Sequence, residues 1–267
     1  MTSRARRRSG GAGAALAVLL LFSSACGSAS AGRTQVTVLA ASSLSQVFPE
    51  IGRAFERSQP GLAVQFEFAG TDALAVQLEQ GSPGDVFAGA SASFGDRLFA
   101  EGLIASPRPF ATNRLVVVLP RANPAGIRSL GDLTRPIKLV IGAASVPVGA
   151  YTRKALSNLN AEFGSGYSAA VLSNVVSEEA NVEGVLTKVR LGEADAGFVY
   201  VTDALSAGSE VRTIDLPASA QATAVYPIAV VRSSSDLDDA RSFVSLVLSP
   251  TGQQLLRHAG FGPPPHP

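Results

Sequence analysis

The sequence predicts an α/β fold organised as two domains. Apolar segments typical of buried strands alternate along the chain with segments whose apolar residues recur at the i, i+3, i+4, i+7 spacing of amphipathic helices. The chain is also too long, over residues 26–267, for a typical single core, and it fits two domains of ordinary size. No repeat with a period of 20–50 residues is visible, so we do not expect a solenoid.

The first 25 residues have the pattern of a secretory signal peptide. Four arginines lie within residues 4–8, an apolar run follows from Ala14 to Phe22, and small residues surround Cys26. The position of Cys26 at the cleavage point predicts a lipid-anchored N-terminus, and residues 26–33 are predicted to form a flexible tether. The alternative is ordinary secretion with an incidental cysteine.

The first part of the mature chain alternates strands and helices. In the first strand Val36, Val38 and Ala40 alternate with more polar positions. A helix follows, because five apolar residues from Leu44 to Phe55 are spaced i, i+3, i+4, i+7, i+11. The same reasoning predicts strands at 64–68 and 85–88, and helices at 72–80 and 94–100.

The second part continues the alternation between two long apolar strands, at 115–119 and 224–231. Between them we predict strands at 138–141, 171–176 and 196–200, helices at 149–158 and 182–189, and a glycine-rich loop at 160–168. Two further helices follow, at 237–248 and 250–258.

The two long strands are where we expect the chain to cross between domains. The predicted first lobe is 34–114 and 227–262, the second lobe is 115–226, and the proline-rich segment 263–267 is expected to be disordered.

Composition excludes several classes of function. The 22 basic and 21 acidic residues form no basic cluster after the leader, so we expect no nucleic-acid partner. Cys26 is the single cysteine, and His258 and His266 are the two histidines, so a disulfide framework or a usual transition-metal site is not expected. A hydrolytic triad would need His258 beside Ser43, and no G-x-S-x-G motif surrounds that serine. We therefore predict a protein that is not an enzyme.

The ends of the predicted strands favour a site for a small anion. A dianion that loses its hydration shell needs either positive charges or many converging N–H and O–H dipoles. The sequence favours dipoles, because small or hydroxyl residues stand where helices begin after strands. The candidate residues are Ser43, Thr71, Val148, Val182 and Tyr200. For Ser43 and Thr71 the alternative is an N-cap that serves only its own helix, and for Tyr200 it is a packing role.

Eight motifs together resemble those of the molybdate-binding periplasmic component of bacterial ABC transporters, within the class II periplasmic binding proteins. The resemblance covers nearly all of residues 34–262. The motifs are Leu39-Ala-Ala-Ser-Ser-Leu44, Phe68-Ala-Gly-Thr71, Gln80-Gly-Ser-Pro-Gly-Asp-Val-Phe-Ala88, Val146-Pro-Val-Gly-Ala-Tyr151, Gly197-Phe-Val-Tyr-Val-Thr-Asp203, Tyr226-Pro-Ile-Ala-Val230, Ser249-Pro-Thr-Gly252 and Gly260-Phe-Gly262.

The resemblance implies a two-domain periplasmic-binding-protein fold, with a mixed sheet flanked by helices in each domain and a hinge between them. It implies that the hydroxyls of Ser43, Thr71 and Tyr200 and the N–H groups of Val148 and Val182 bind molybdate or tungstate, with no cofactor and no direct protein–metal ligand. It further implies an exported monomer, periplasmic or lipid-anchored on the outer face of the membrane, that serves an ABC permease and its ATPase.

The chain departs from the family pattern at three places. Thr71 stands where serine is frequent, Asp72 stands where a small hydroxyl residue is common, and residues 88–91 lack the acidic residue that is usual there. We expect Asp72 to face the dipole of the second helix from outside the pocket. Two alternatives remain open at this point: another ligand such as sulfate, phosphate or a small carboxylate, and an exported serine hydrolase that uses Ser43.

Overall fold

The computed structural model describes residues 34–265. The predicted signal peptide, the tether with Cys26 and residues 266–267 of the predicted tail lie outside the described residues. The strands within the described range are β1 (Thr34–Ala41), β2 (Leu62–Ala69), β3 (Val86–Ala88), β4 (Arg108–Asn113), β5 (Leu115–Pro120), β6 (Leu139–Gly142), β7 (Val175–Glu179), β8 (Ala196–Tyr200), β9 (Val211–Asp215) and β10 (Ala224–Val230).

Helices follow most of these strands. They are α1 (Phe48–Ser58), α2 (Thr71–Glu79), α3 (Ala92–Ala100), α4 (Pro147–Phe163), α5 (Tyr167–Leu172), α6 (Val182–Arg190), α7 (Val201–Ala207), α8 (Leu237–Leu248) and α9 (Pro250–His258). None of the helices in this part of the chain combines the length and the apolar character that a bilayer-spanning helix needs.

The strands form two mixed sheets with the same plan. The first sheet has the order β2-β1-β3-β10-β4, and the second has the order β7-β6-β8-β5-β9. In each sheet three neighbouring strands run parallel, and a fourth strand (β10 or β5) pairs antiparallel with the third of them and with the edge strand. This confirms the predicted α/β fold of two mixed sheets flanked by helices.

We call each sheet with its helices a lobe. The chain passes from the first lobe to the second between β4 and β5, where only Arg114 separates the strands, and it returns before β10. The lobe boundaries given above stay a prediction, and β10 itself begins at Ala224 in the first sheet.

The first helix begins later than its apolar stripe predicts. Leu44 and Val47 are buried as expected, but they lie in a 3₁₀ turn (Ser42–Leu44) and in the residues that follow it. The α-helix begins at Phe48, and Pro49 lies in its first turn. Proline lacks an N–H group and is tolerated there but not in a helix interior, so an unbroken helix from Leu44 is disfavoured.

Two predictions for residues 160–176 are wrong. The predicted loop at 160–168 contains the end of α4 and the start of α5, and Gly164, at φ +98°, ends α4. The predicted strand at 171–176 begins instead as the end of α5, and β7 starts at Val175. A short apolar run does not distinguish a buried helical turn from a strand, and here the helix buries Val171.

The core of the first lobe is organised around Phe48. Its ring lies 6.0 Å from Phe66, 5.9 Å from Phe110 and 6.1 Å from Phe243, between ring centroids. Phe48 is fully buried and joins α1 to the sheet and to α8. Aromatic pairs at these distances stabilise the fold beyond their buried area.

We expect Phe48→Ala to lower the free energy of unfolding by about 3–5 kcal/mol, because it leaves a cavity among three rings. Phe99→Ala is the control, since Phe99 is 42% exposed, and its loss should stay below about 1 kcal/mol. Urea unfolding without ligand measures both. Equal losses in the two variants would contradict this description of the core.

Candidate functional site

Six strands direct their carboxyl ends to one cavity between the lobes. They are the three parallel strands of each sheet, β1, β2 and β3 of the first and β6, β7 and β8 of the second. The cavity is bordered by all five residues predicted from the sequence: Ser43, Thr71, Val148, Val182 and Tyr200. Both lobes contribute, and we call it the interlobe cavity. Its position beyond the carboxyl ends of strands is where ligands bind in open α/β sheets.

Ser43 borders the interlobe cavity from the 3₁₀ turn that follows β1. Its side chain is buried, and its Oγ lies 2.8 Å from Oη of Tyr226. The turn has no side-chain cap, so the hydroxyl of Ser43 does not serve its own helix. The alternative of a simple N-cap therefore does not describe this residue.

Thr71 is the first residue of α2 and is almost fully buried. Its Oγ1 accepts a hydrogen bond of 3.0 Å from the N–H group of Ala90, which lies beyond β3. The N-cap of α2 is Gly70, without a side-chain cap. The hydroxyl of Thr71 is thus held by a neighbouring loop and keeps its own proton available for donation.

The second lobe contributes the first turns of two helices. Val148 lies in the first turn of α4, directly after Pro147, and Val182 is the first residue of α6. The first N–H groups of a helix have no partner within the helix, and they carry the positive end of its dipole. In α6 the side chain of Asn181 accepts from the N–H group of Gly184, so this cap does not occupy the N–H group of Val182.

Tyr200 ends β8 and places a hydroxyl in the same cavity. It is buried, and within residues 34–265 its Oη has no hydrogen-bond partner. Burial, which is the main cause, raises the pKa of Tyr200 well above its usual value, so the group stays a donor at neutral pH. A buried hydroxyl without a partner costs about 1–3 kcal/mol, which an acceptor in the cavity removes.

The wall of the interlobe cavity carries no formal charge. Among the residues that the structure describes, no Arg, Lys, Asp or Glu borders it. Asp72 follows Thr71 in the first turn of α2, and its Oδ2 accepts a hydrogen bond of 2.9 Å from Ser145 of the other lobe. Asp72 thus bridges the lobes beside the cavity. Its Oδ1 is buried without a hydrogen-bond partner among the described residues.

The lobes also meet at two other points near the cavity. Ser45 Oγ of the first lobe donates to Glu183 Oε1 of the second, at 3.4 Å. A side chain at Gly70 would lie 2.5 Å from the carbonyl oxygen of Ala180, so only glycine allows this approach of the two backbones. Together with the Asp72–Ser145 bond, these contacts join the two lobes beside the cavity.

Two acidic groups lie behind the cavity in the second lobe. Asp203 is buried, and one of its oxygens accepts from the N–H group of Tyr200 at 2.9 Å. Burial first, and then the charge of Glu183, raise the pKa of Asp203 well above its usual range. Burial also raises the pKa of Glu183.

Sequence reasoning missed the groups that hold the two hydroxyls from behind. Tyr226, in the motif at residues 226–230, and Ala90 are not among the five residues that the sequence predicts for the site. The sequence does carry one indication of Tyr226: it is the polar side chain in an otherwise apolar buried strand.

Comparison with known proteins gives one family. The profile described as "Bacterial extracellular solute-binding protein" matches residues 36–262. The molybdate-binding protein ModA of Mycobacterium tuberculosis H37Rv is 42% identical over 251 residues, which cover 90% of this chain and 92% of the relative.

Two further relatives are more distant. The putative ABC transporter substrate-binding lipoprotein YvgL of Bacillus subtilis is 28% identical over 233 residues, with 86% of each chain covered. Among solved structures, the periplasmic molybdate-binding protein of Azotobacter vinelandii superimposes with a TM-score of 0.75 at 20% identity, over 86% of this chain and all of that one. At this identity the superposition shows the fold alone.

We expect Asp203→Asn to flatten the pH dependence of stability. A carboxyl whose pKa is raised by folding favours the folded state at low pH, and this contribution is lost as the pH rises above about 4 towards the raised pKa. The asparagine oxygen can still accept from Tyr200 N–H. The stability of the variant relative to the unmodified protein should therefore increase between about pH 4 and pH 7.5, as measured by urea unfolding. A difference that does not change with pH would contradict the assignment of a raised pKa to Asp203.

Proposed function

We propose that this chain, which belongs to the family of bacterial extracellular solute-binding proteins, captures molybdate outside the cytoplasm and delivers it to an ABC transporter. The proposal extends to tungstate, which is an oxyanion of the same shape and charge. The family is one of binding proteins, and no step of catalysis is part of the proposal.

One observation carries the proposal: the interlobe cavity is lined by uncharged donors from both lobes, and one of them is a buried hydroxyl without a partner among the described residues. Such a site can replace the hydration shell of an anion without a formal positive charge. The identity to a molybdate-binding relative over nine-tenths of the chain favours molybdate among the small oxyanions.

In this proposal the hydroxyls of Ser43 and Thr71 bind the oxyanion from the first lobe. The N–H groups of Val148 and Val182 and the hydroxyl of Tyr200 bind it from the second. Each hydrogen bond from a neutral donor to a charged acceptor contributes about 1.5–3 kcal/mol. Because the donors belong to two lobes, the anion holds the lobes together and favours the closed conformation.

Export and transfer complete the proposal. Residues 1–25 direct secretion, Cys26 carries a lipid that anchors the protein on the outer face of the membrane, and the monomeric protein docks on a permease driven by an ATPase. The lipoprotein among the relatives supports the anchor, and the family supports the transporter.

The hydrolase alternative has little support in the geometry of Ser43. Ser43 and His258 border a common groove. The hydroxyl of Ser43, however, bonds to Tyr226, and within the described residues the side chain of His258 makes no hydrogen bond that would orient it as a base.

A panel of oxyanions tests the choice of ligand. A ligand at 100 times its dissociation constant stabilises the folded state by about 2.7 kcal/mol, which corresponds to a rise in Tm of about 5–10 °C for a protein of this size. We expect this rise with molybdate and tungstate, and smaller ones with equal concentrations of sulfate, phosphate and oxalate. If sulfate or phosphate raised the Tm more than molybdate does, that anion would be the ligand instead of molybdate.

Substitution of the two hydroxyl residues tests the site. We expect Ser43→Ala and Thr71→Val each to weaken molybdate binding about 10- to 100-fold in calorimetry, because each loses one donor to a charged ligand. The controls are Ser173→Ala and Thr134→Val, which remove hydroxyls that bond to backbone carbonyls elsewhere. Unchanged affinity in both site variants would reject the assignment.

A further inference from the structure

Tyr226 is a buried tyrosine that the proposed binding site does not include. It lies on β10, is fully buried, and does not border the interlobe cavity. Its ring packs against Phe110, Tyr200 and Phe261, with centroids 6.0, 6.1 and 5.4 Å away. Its hydroxyl oxygen lies 2.8 Å from Oγ of Ser43, which is the one serine among the proposed oxyanion-binding residues.

The direction of this hydrogen bond follows from the neighbours of Tyr226. Besides Ser43, the described contact of its hydroxyl is Asn113 Nδ2, at 3.5 Å. The carbonyl side of this amide accepts from the N–H group of Arg114, so the NH₂ group must face Tyr226, and an NH₂ group only donates. Among the described residues, Ser43 Oγ is therefore the one acceptor within reach of the buried proton of Tyr226, so Tyr226 donates to Ser43.

This bond determines what Ser43 can offer to a ligand. One lone pair of Ser43 Oγ accepts the hydrogen bond from Tyr226. The hydroxyl proton of Ser43 therefore cannot point towards Tyr226, and it is available to an acceptor in the cavity. Thr71 has the same arrangement, with the N–H group of Ala90 as the donor behind it. Both hydroxyls thus accept a hydrogen bond from the protein side, and a hydroxyl that accepts one hydrogen bond donates a stronger one.

We propose that Tyr226 is a positioning residue for oxyanion capture, which acts by orienting the hydroxyl of Ser43 so that it donates into the interlobe cavity. The inference rests on the proposed function, because it concerns the same site and the same class of ligand. Of the two donors behind the hydroxyls, Tyr226 is the one that belongs to a side chain, so it can be removed by substitution.

The test is a double-mutant cycle measured by calorimetry with molybdate. Tyr226→Phe removes one oxygen and keeps the ring contacts. We expect it to weaken binding about three- to tenfold, since the serine loses its fixed orientation and its polarising partner. In the Ser43→Ala background the same change should have no effect on affinity, whereas in the Thr71→Val background it should again cost about three- to tenfold.

Tyr167→Phe is the matched control. Tyr167 is also buried, and its hydroxyl donates to the carbonyl oxygen of Leu130 at 2.7 Å in the second lobe. This variant should lose stability but keep the affinity of the unmodified protein. Equal loss of affinity from Tyr226→Phe with and without Ser43 overturns the inference, because it shows a general structural effect. Full affinity in Tyr226→Phe overturns it as well, while the proposed function stands. Absence of molybdate binding by the unmodified protein overturns the proposed function and the inference with it.

Discussion

A small dianion can be held without a formal positive charge only if enough N–H and O–H groups point at it at the same time, and the proposed function places this requirement on the structure. One strand end offers one or two such groups, so a sufficient set has to come from several strands. Here the carboxyl ends of six strands, three parallel strands from each sheet, meet at one cavity. Neither lobe provides the whole set.

The shared plan of the two sheets makes this convergence possible. Each sheet places three parallel strands side by side, with an antiparallel strand, β10 or β5, next to them. Because the two lobes face each other at these strand ends, groups from both lobes line one cavity. The close approach at Gly70 and the Asp72–Ser145 hydrogen bond show how little space remains beside the cavity when the lobes meet.

The charges around the cavity are arranged so that the wall itself stays neutral. Asp72 accepts a hydrogen bond from the opposite lobe, and Asp203 lies behind the backbone of Tyr200, where burial raises its pKa. The hydroxyls are in turn oriented by donors behind them, which include Tyr226 and the N–H group of Ala90.

The local sequence pattern was sufficient to predict much of the fold and of the candidate site. The sequence alone determined the α/β class, the strands that lead into Ser43, Thr71 and Tyr200, and the family resemblance, because these depend on the order and periodicity of neighbouring residues. It failed at 160–176, where a short apolar run next to glycines fits a helix as well as a strand.

Only the tertiary structure decided that the two hydroxyls do not cap their own helices and that Tyr226 stands behind Ser43. That pair lies 183 positions apart in the chain. Contacts of this kind follow from how sheets and lobes pack, and they leave no trace in local periodicity.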